Sequence, residues 1–147
     1  MPRRNTARRT RLSTAEFVQL AAFRHALRRF LHFSETAATR SGLTGQQYQA
    51  LLAIRGGAGR RYVTINDLAR DLLIKHNSAV GLVDRLVARG LLMRKRIPED
   101  RRKVQLQLSH PGEKVLRDLA SIHRQELRRI GPIIHGFLEE LAQPDKI

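Results

Sequence analysis

Six histidines, His25, His32, His76, His110, His123 and His135, are the first residues to weigh for chemistry. A metal site needs ligands gathered on one face, and no two of these form an H-x-x-x-H pair. Cysteine is absent, which excludes disulfides, thiolate ligands, thiol nucleophiles and thiol-based redox switching within the chain. The histidines therefore read as core or partly exposed residues, and no metal or cofactor is expected. Asp67 and Asp71 stand one helical turn apart, yet the first fits a helix cap and the second a solvated helix face, so general acid-base work has little support. Gly56-Gly57-Ala58-Gly59 leads into Arg60-Arg61, where a phosphate loop requires Gly-Lys-Ser/Thr, and it reads as a hinge. With no Ser, His and acid arrangement either, the chain is expected to perform no reaction.

What the composition does offer is charge. The 147 residues carry 28 Lys plus Arg against 13 Asp plus Glu, a net +15, which favours polyanions and above all nucleic acid. The excess is local. Residues 1–11 hold five arginines and no acid, and residues 55–103 hold thirteen bases against five acids, whereas residues 104–147 balance at six of each. Apolar residues at 41% are enough for one core, and the length suits one domain. No apolar window reaches the length of a spanning helix and no secretory leader opens the sequence, so a cytoplasmic location away from membranes is expected.

Positioning this charge requires elements, and helix starts are marked locally. Ser13 with Glu16, Thr44 with Gln47 and Thr64 with Asp67 are three capping pairs, each preceding an apolar series of helical period. The first helix runs to Ser41-Gly42, and the second to about Arg55. Val63 reads as a short strand, followed by a short helix with Leu68, Ala69, Leu72 and Leu73 on its buried side. A further helix spans roughly His76 to Arg89, with Gly90 as its stop. Residues 91–96 and 103–108 read as strands of a hairpin whose long basic tip spans 97–102. Ser109 caps a last helical region, with Pro111 in its first turn and Gly131-Pro132 expected to interrupt or kink it.

That order is a mainly α (α+β) fold: a winged helix-turn-helix with N- and C-terminal dimerisation helices. The boundaries expected are a basic flexible arm at 1–11 and a single domain at 12–147. Within it a DNA-binding lobe occupies 44–108, and dimerisation helices occupy 12–40 and 109–147. A helix of this width fits the major groove of duplex DNA, and a basic hairpin can reach the neighbouring minor groove. The arm either tracks phosphates or is a solubilising extension.

The run Leu68-Ala69, His76-Asn77-Ser78, Gly81-Leu82-Val83-Asp84-Arg85-Leu86, Arg89-Gly90-Leu91-Leu92, Asp100-Arg101-Arg102 and Leu106 to Ser109 with Gly112 resembles the multiple antibiotic resistance regulator (MarR) family over residues 43–116. The resemblance implies a homodimeric transcriptional regulator of double-stranded DNA, more often a repressor, bound to a pseudo-palindromic operator. Lys75, His76, Asn77 and Ser78 then open the recognition helix. Asn77 is the foremost base reader, although Asn77 and Ser78 alternatively cap the helix. Gly81 implies close approach by another helix or by DNA, and Arg85 and Arg89 reach phosphates, unless Arg85 pairs with Asp84 or a wing acid. At the wing the resemblance implies that Asp100 orients the hairpin and an arginine enters the minor groove, Arg102 ahead of Arg101. Arg94, Lys95, Arg96 and Lys103 read as phosphate contacts, part of them facing solvent.

Two copies are needed to read half-sites on successive turns. Phe17, Leu20 and Leu27 near the start, with Ile130, Ile134, Phe137, Leu138 and Leu141 near the end, supply a dimer seam or else an intramolecular core. The resemblance also implies, for many members, a small anionic or aromatic effector between the dimerisation helices and the lobe. Arg24, His25, Arg28 and His32 either line that cleft or are plain surface residues. The contrasting expectation is a nucleoid- or RNA-associated basic protein without sequence choice.

Overall fold

The computed structural model describes residues 11–144. The expected basic arm therefore lies, Arg11 apart, outside the described residues. Five α-helices and one two-stranded sheet make up the described chain: α1 (Thr14–Arg40), α2 (Gly45–Gly56), α3 (Ile65–Asp71), α4 (His76–Ala88), β1 (Leu92–Ile97), β2 (Asp100–Leu108) and α5 (His110–Ala142). All three capping pairs form in both directions, with Ser13, Thr44 and Thr64 accepting from the backbone three residues on while Glu16, Gln47 and Asp67 reach back. Each pair satisfies N–H groups that the helix start leaves open. The glycine segment closes α2 and forms a 3-10 turn over Gly57–Gly59.

Leu51, Leu68, Leu82, Val83, Leu86 and Leu119 are the largest fully buried side chains, so the core is assembled from α2, α3, α4 and α5. Leu91, Leu92 and Leu106 close it from the hairpin side. Gly112 lets the first turn of α5 lie against the chain leaving α4, because a β-carbon there would stand 2.1 Å from the carbonyl oxygen of Leu91. Ser109 ties the same junction, accepting from Gly112 N–H at 3.1 Å and donating to the carbonyl of Gly90.

Four expectations need correction. Leu73, expected on the buried side of the third helix, lies beyond the end of α3 at Asp71 and is exposed, because the chain has already turned toward α4. Val63 forms no strand; its carbonyl accepts one backbone bond, from Leu106 N–H at 2.7 Å, and α3 begins two residues later. The wing tip is shorter than 97–102. β1 continues to Ile97, whose burial draws it into the fold, and Pro98-Glu99 alone turn the chain. The interruption at Gly131-Pro132 is also absent, since α5 runs unbroken through Pro132. Proline removes a single N–H donor there, while Ile130, Ile134 and Phe137 on either side keep the helix packed at half-burial.

α1 and α5 lie antiparallel, with Ser34 beside His123 and the Gln19 amide 3.3 Å from the Glu140 carboxylate. His123 is the joint between these long helices and the lobe. Its Nδ1 is 2.7 Å from the Leu119 carbonyl, which can only accept, so Nδ1 carries the proton and Nε2 accepts from the Ser34 hydroxyl at 2.7 Å. The ring stacks on Tyr48 of α2 at 4.3 Å, with Phe30 and Phe33 edge-on. Burial pushes the Tyr48 phenol above its ordinary value.

Candidate nucleic-acid interface

α4 buries Ala79, Leu82, Val83 and Leu86 and thereby commits its other side to solvent. Asn77, Gly81 and Arg85 follow one another at four-residue spacing along that side and form one stripe. Lys75 is the N-cap, with extended backbone and no side-chain cap bond, and the first turn holds no acid. Capping by Asn77 or Ser78 is therefore not what these residues do here. Lys75, His76, Asn77 and Ser78 are all exposed at the positive end of the helix dipole.

Gly81 meets no other helix; the nearest atom to a β-carbon there is the Arg85 guanidinium of its own helix, at 3.3 Å. Arg85 thus lies back along the stripe, and the acid beside it, Asp84, pairs instead with Arg94 of β1. That pair fastens the base of the wing to α4. Arg89, expected to reach phosphates, makes structural bonds within the chain. Its guanidinium donates to the Gly42 carbonyl at 2.6 Å and to Gln47 Oε1 at 3.3 Å, joining the end of α4 to the α1–α2 turn.

The hairpin pairs regularly from Leu92 opposite Leu108 to Arg96 opposite Val104, then jumps so that Ile97 faces Asp100. The jump sets Arg101, Arg102 and Lys103 outside the ladder as a bulge, a feature that re-aims side chains. Asp100 Oδ1 accepts from the Arg102 backbone at 3.1 Å and lies 3.4 Å from its Nε, while the Arg102 side chain is 94% exposed. Arg96 donates across the wing to the Arg101 carbonyl at 2.8 Å. Lys95 and Lys103 are exposed.

A latch that spacing did not reveal holds the wing tip. The Tyr62 hydroxyl donates to Glu99 at 2.7 Å, Arg61 pairs with the same carboxylate at 2.9 Å, and the Arg61 guanidinium sits over the Tyr62 ring. The Tyr62 bond holds the Glu99 carboxyl below its ordinary value and raises the phenol. Asp71 lies on an exposed helix face, as expected, and there takes a two-pronged bond from Arg60 at 2.6 and 2.8 Å, which lowers its carboxyl. Each of the five acids between 55 and 103 is thus held by an arginine. The basic surplus is left on the exposed start of α4 and on the wing.

Among the described residues, no group of three potential ligands gathers to hold a metal, and no helix is long and apolar enough to cross a membrane. Between α1 and α5 runs a groove of about 920 Å³, with Phe30, Phe33, Ile130, Ile134 and Phe137 on its walls and Arg28, Arg29, Arg40 and Arg129 around them. His25 and His32 join Arg28 in lining it; Arg24 does not. The groove follows the helix pair, whereas the expected cleft lay between these helices and the lobe.

Residues 41–103, which contain this helix and wing, match the model of the MarR family. The segment is of the MarR family. No curated protein sequence matches the chain. AbsC, a MarR family transcriptional regulator from Streptomyces coelicolor, is 21% identical with a TM-score of 0.68, over 92% of this chain and 86% of that one. S. aureus MepR in a DNA complex is 19% identical at a TM-score of 0.68, over 88% and 91%. CouR from Rhodococcus jostii, bound to p-coumaroyl-CoA, is 22% identical at 0.61, over 81% and 87%. At these identities the likeness is one of fold, and the MarR-type winged helix is the fold of this chain.

Proposed function

We propose that the protein is a homodimeric transcriptional regulator that binds double-stranded DNA at a pseudo-palindromic sequence and, in keeping with the family resemblance, represses. The observation that carries this reading is the exposed, uncapped, acid-free first turn of α4 beside a wing whose acids are all neutralised. On this reading the Asn77–Gly81–Arg85 stripe enters the major groove, Asn77 reads a base edge, and Gly81 admits the duplex close to the helix axis. Arg102 enters the minor groove from the bulge, Asp100 holds its backbone, and Arg101 flanks it. Lys75, His76, Ser78, Lys95, Arg96 and Lys103 meet phosphates. Arg94 positions the wing through Asp84.

Pairing of two copies is supported by the apolar surface of the α1–α5 pair. Phe17 is 60% exposed and Leu138 50%, with Leu20, Leu141, Val18 and Ile133 also exposed beside half-buried Leu27, Ile130, Ile134 and Phe137. Two antiparallel helices cannot cover one another on every side, and a patch of this kind is characteristic of an interface. Release of DNA by a small anionic or aromatic effector is the accompanying regulatory reading, supported by the aromatic walls and arginine rim of the groove.

The test is selection of bound duplexes from a random library, followed by competition of the selected sequence against bulk DNA at physiological salt. The regulator reading expects at least about a thousandfold preference for the selected palindrome. Equal competition by bulk DNA or RNA would replace it with a nucleoid- or RNA-associated role.

A further inference from the structure

Leu73 lies in the turn between α3 and α4, two residues ahead of the N-cap Lys75. Among the described residues it is the one non-glycine with positive φ, 55°. Its side chain nevertheless stands 92% exposed. The left-handed region disfavours any residue with a β-carbon, and glycine or asparagine would meet the turn at lower cost. Its neighbours Leu72 and Ile74 pack against the core and meet the apolar demand of the turn, while the Ile74 N–H donates to the Ala69 carbonyl at 3.0 Å and fixes the backbone. Leu73 therefore combines an unfavourable backbone with an apolar side chain that gains nothing from this chain. Backbone outliers of this kind concentrate at functional contacts.

The position identifies the contact. The turn feeds directly into the end of α4 that carries Lys75, His76 and Asn77, all polar and exposed, and Leu73 is the apolar group at that edge. We propose that Leu73 makes an apolar contact to the DNA duplex, to a thymine 5-methyl group or to a deoxyribose C–H face beside the major groove, adding affinity to the polar stripe on α4 and, where the methyl is the partner, sequence preference. The proposal rests on the DNA-binding reading above. Thymine methyls are the apolar feature of the major groove, and aliphatic side chains distinguish them from the other base edges.

The experiment compares the full-length parent with Leu73→Asn, Leu73→Gly and Leu73→Met on the duplex selected by the parent. Asn and Gly suit the positive φ, so their melting temperatures equal or exceed that of the parent. Their affinity for the selected duplex falls roughly three- to tenfold, the loss of one modest apolar contact, while Met, which restores an apolar side chain, retains parental affinity. Repeating the titration with deoxyuridine in place of thymidine locates the contact. If the cost of Leu73→Asn shrinks, the methyl group is the partner; if it persists, the sugar face is. Parental affinity in both the Asn and the Gly variants would overturn this proposal while leaving selective DNA binding intact, and so would an equal loss in Met. A parent that binds no duplex selectively would overturn the DNA-binding reading and this one together.

Discussion

Arg102 projects from the β2 bulge with its side chain 94% exposed and its backbone fixed by Asp100. A residue so placed contributes little to folding, so Arg102→Ala leaves the melting temperature within about a degree or two of the parent. The same change weakens duplex binding about three- to tenfold for all sequences and lowers the slope of log affinity against log salt by about 1. Asn77→Ala behaves differently: it broadens the selected sequence, costing on the order of 1–3 kcal/mol of discrimination at one base position. Binding-site selection on the variant checks this, and an unaltered sequence profile would remove Asn77 from base reading. At the wing tip, the Tyr62 hydroxyl bond, aided by Arg61, holds Glu99 below the free carboxylate range. A depressed folded value means the latch contributes stability above the ordinary glutamate value of about 4.3 and loses it as pH falls through the lowered one. Melts of parent and Glu99→Gln should therefore differ near neutrality and converge as acidification carries Glu99 through its lowered value; a difference independent of pH would contradict the latch.

Elements were legible where their signals are local. Ser13–Glu16, Thr44–Gln47 and Thr64–Asp67 each encode a helix start within four residues, and all three starts fall where these pairs place them. The polar start of α4 and the basic wing are legible for the same reason, as polar or charged runs on elements of recognisable period. The ties that position them join Tyr62 to Glu99, Asp84 to Arg94, Arg89 to Gly42 and Ser34 to His123, residues whose separation along the chain says nothing of their distance in space. Pro132 misled because a local rule weighs the lost hydrogen bond without the tertiary packing that offsets it. Two element-scale outcomes follow. Gly112→Ala drives a β-carbon into the Leu91 carbonyl and destabilises by at least about 1–3 kcal/mol, since backbone on both sides must separate. Ser34→Ala leaves buried His123 Nε2 without its donor and costs about 1–3 kcal/mol. Chemical denaturation measures both, and parental midpoints would refute the close approach and the buried bond respectively.

At the scale of the molecule, charge and apolar surface divide the labour. The lobe concentrates positive charge by holding each local acid in an ion pair, and the α1–α5 pair presents the apolar residues that a second copy can cover. Sedimentation equilibrium of the parent is expected to give twice the chain mass, and Leu138→Lys, which places a charge on the apolar face, to shift it toward one chain and reduce duplex affinity at least about tenfold. A dimer leaves its two α4 stripes related by a twofold axis, which demands half-sites about one helical turn apart. Hydroxyl-radical footprinting of the selected duplex tests that demand most directly. The account predicts two protected half-sites on one face of the DNA, their centres about 10–10.5 base pairs apart or a multiple of it, with minor-groove protection flanking each. A single protected half-site, or uniform protection without a centre of symmetry, would contradict it.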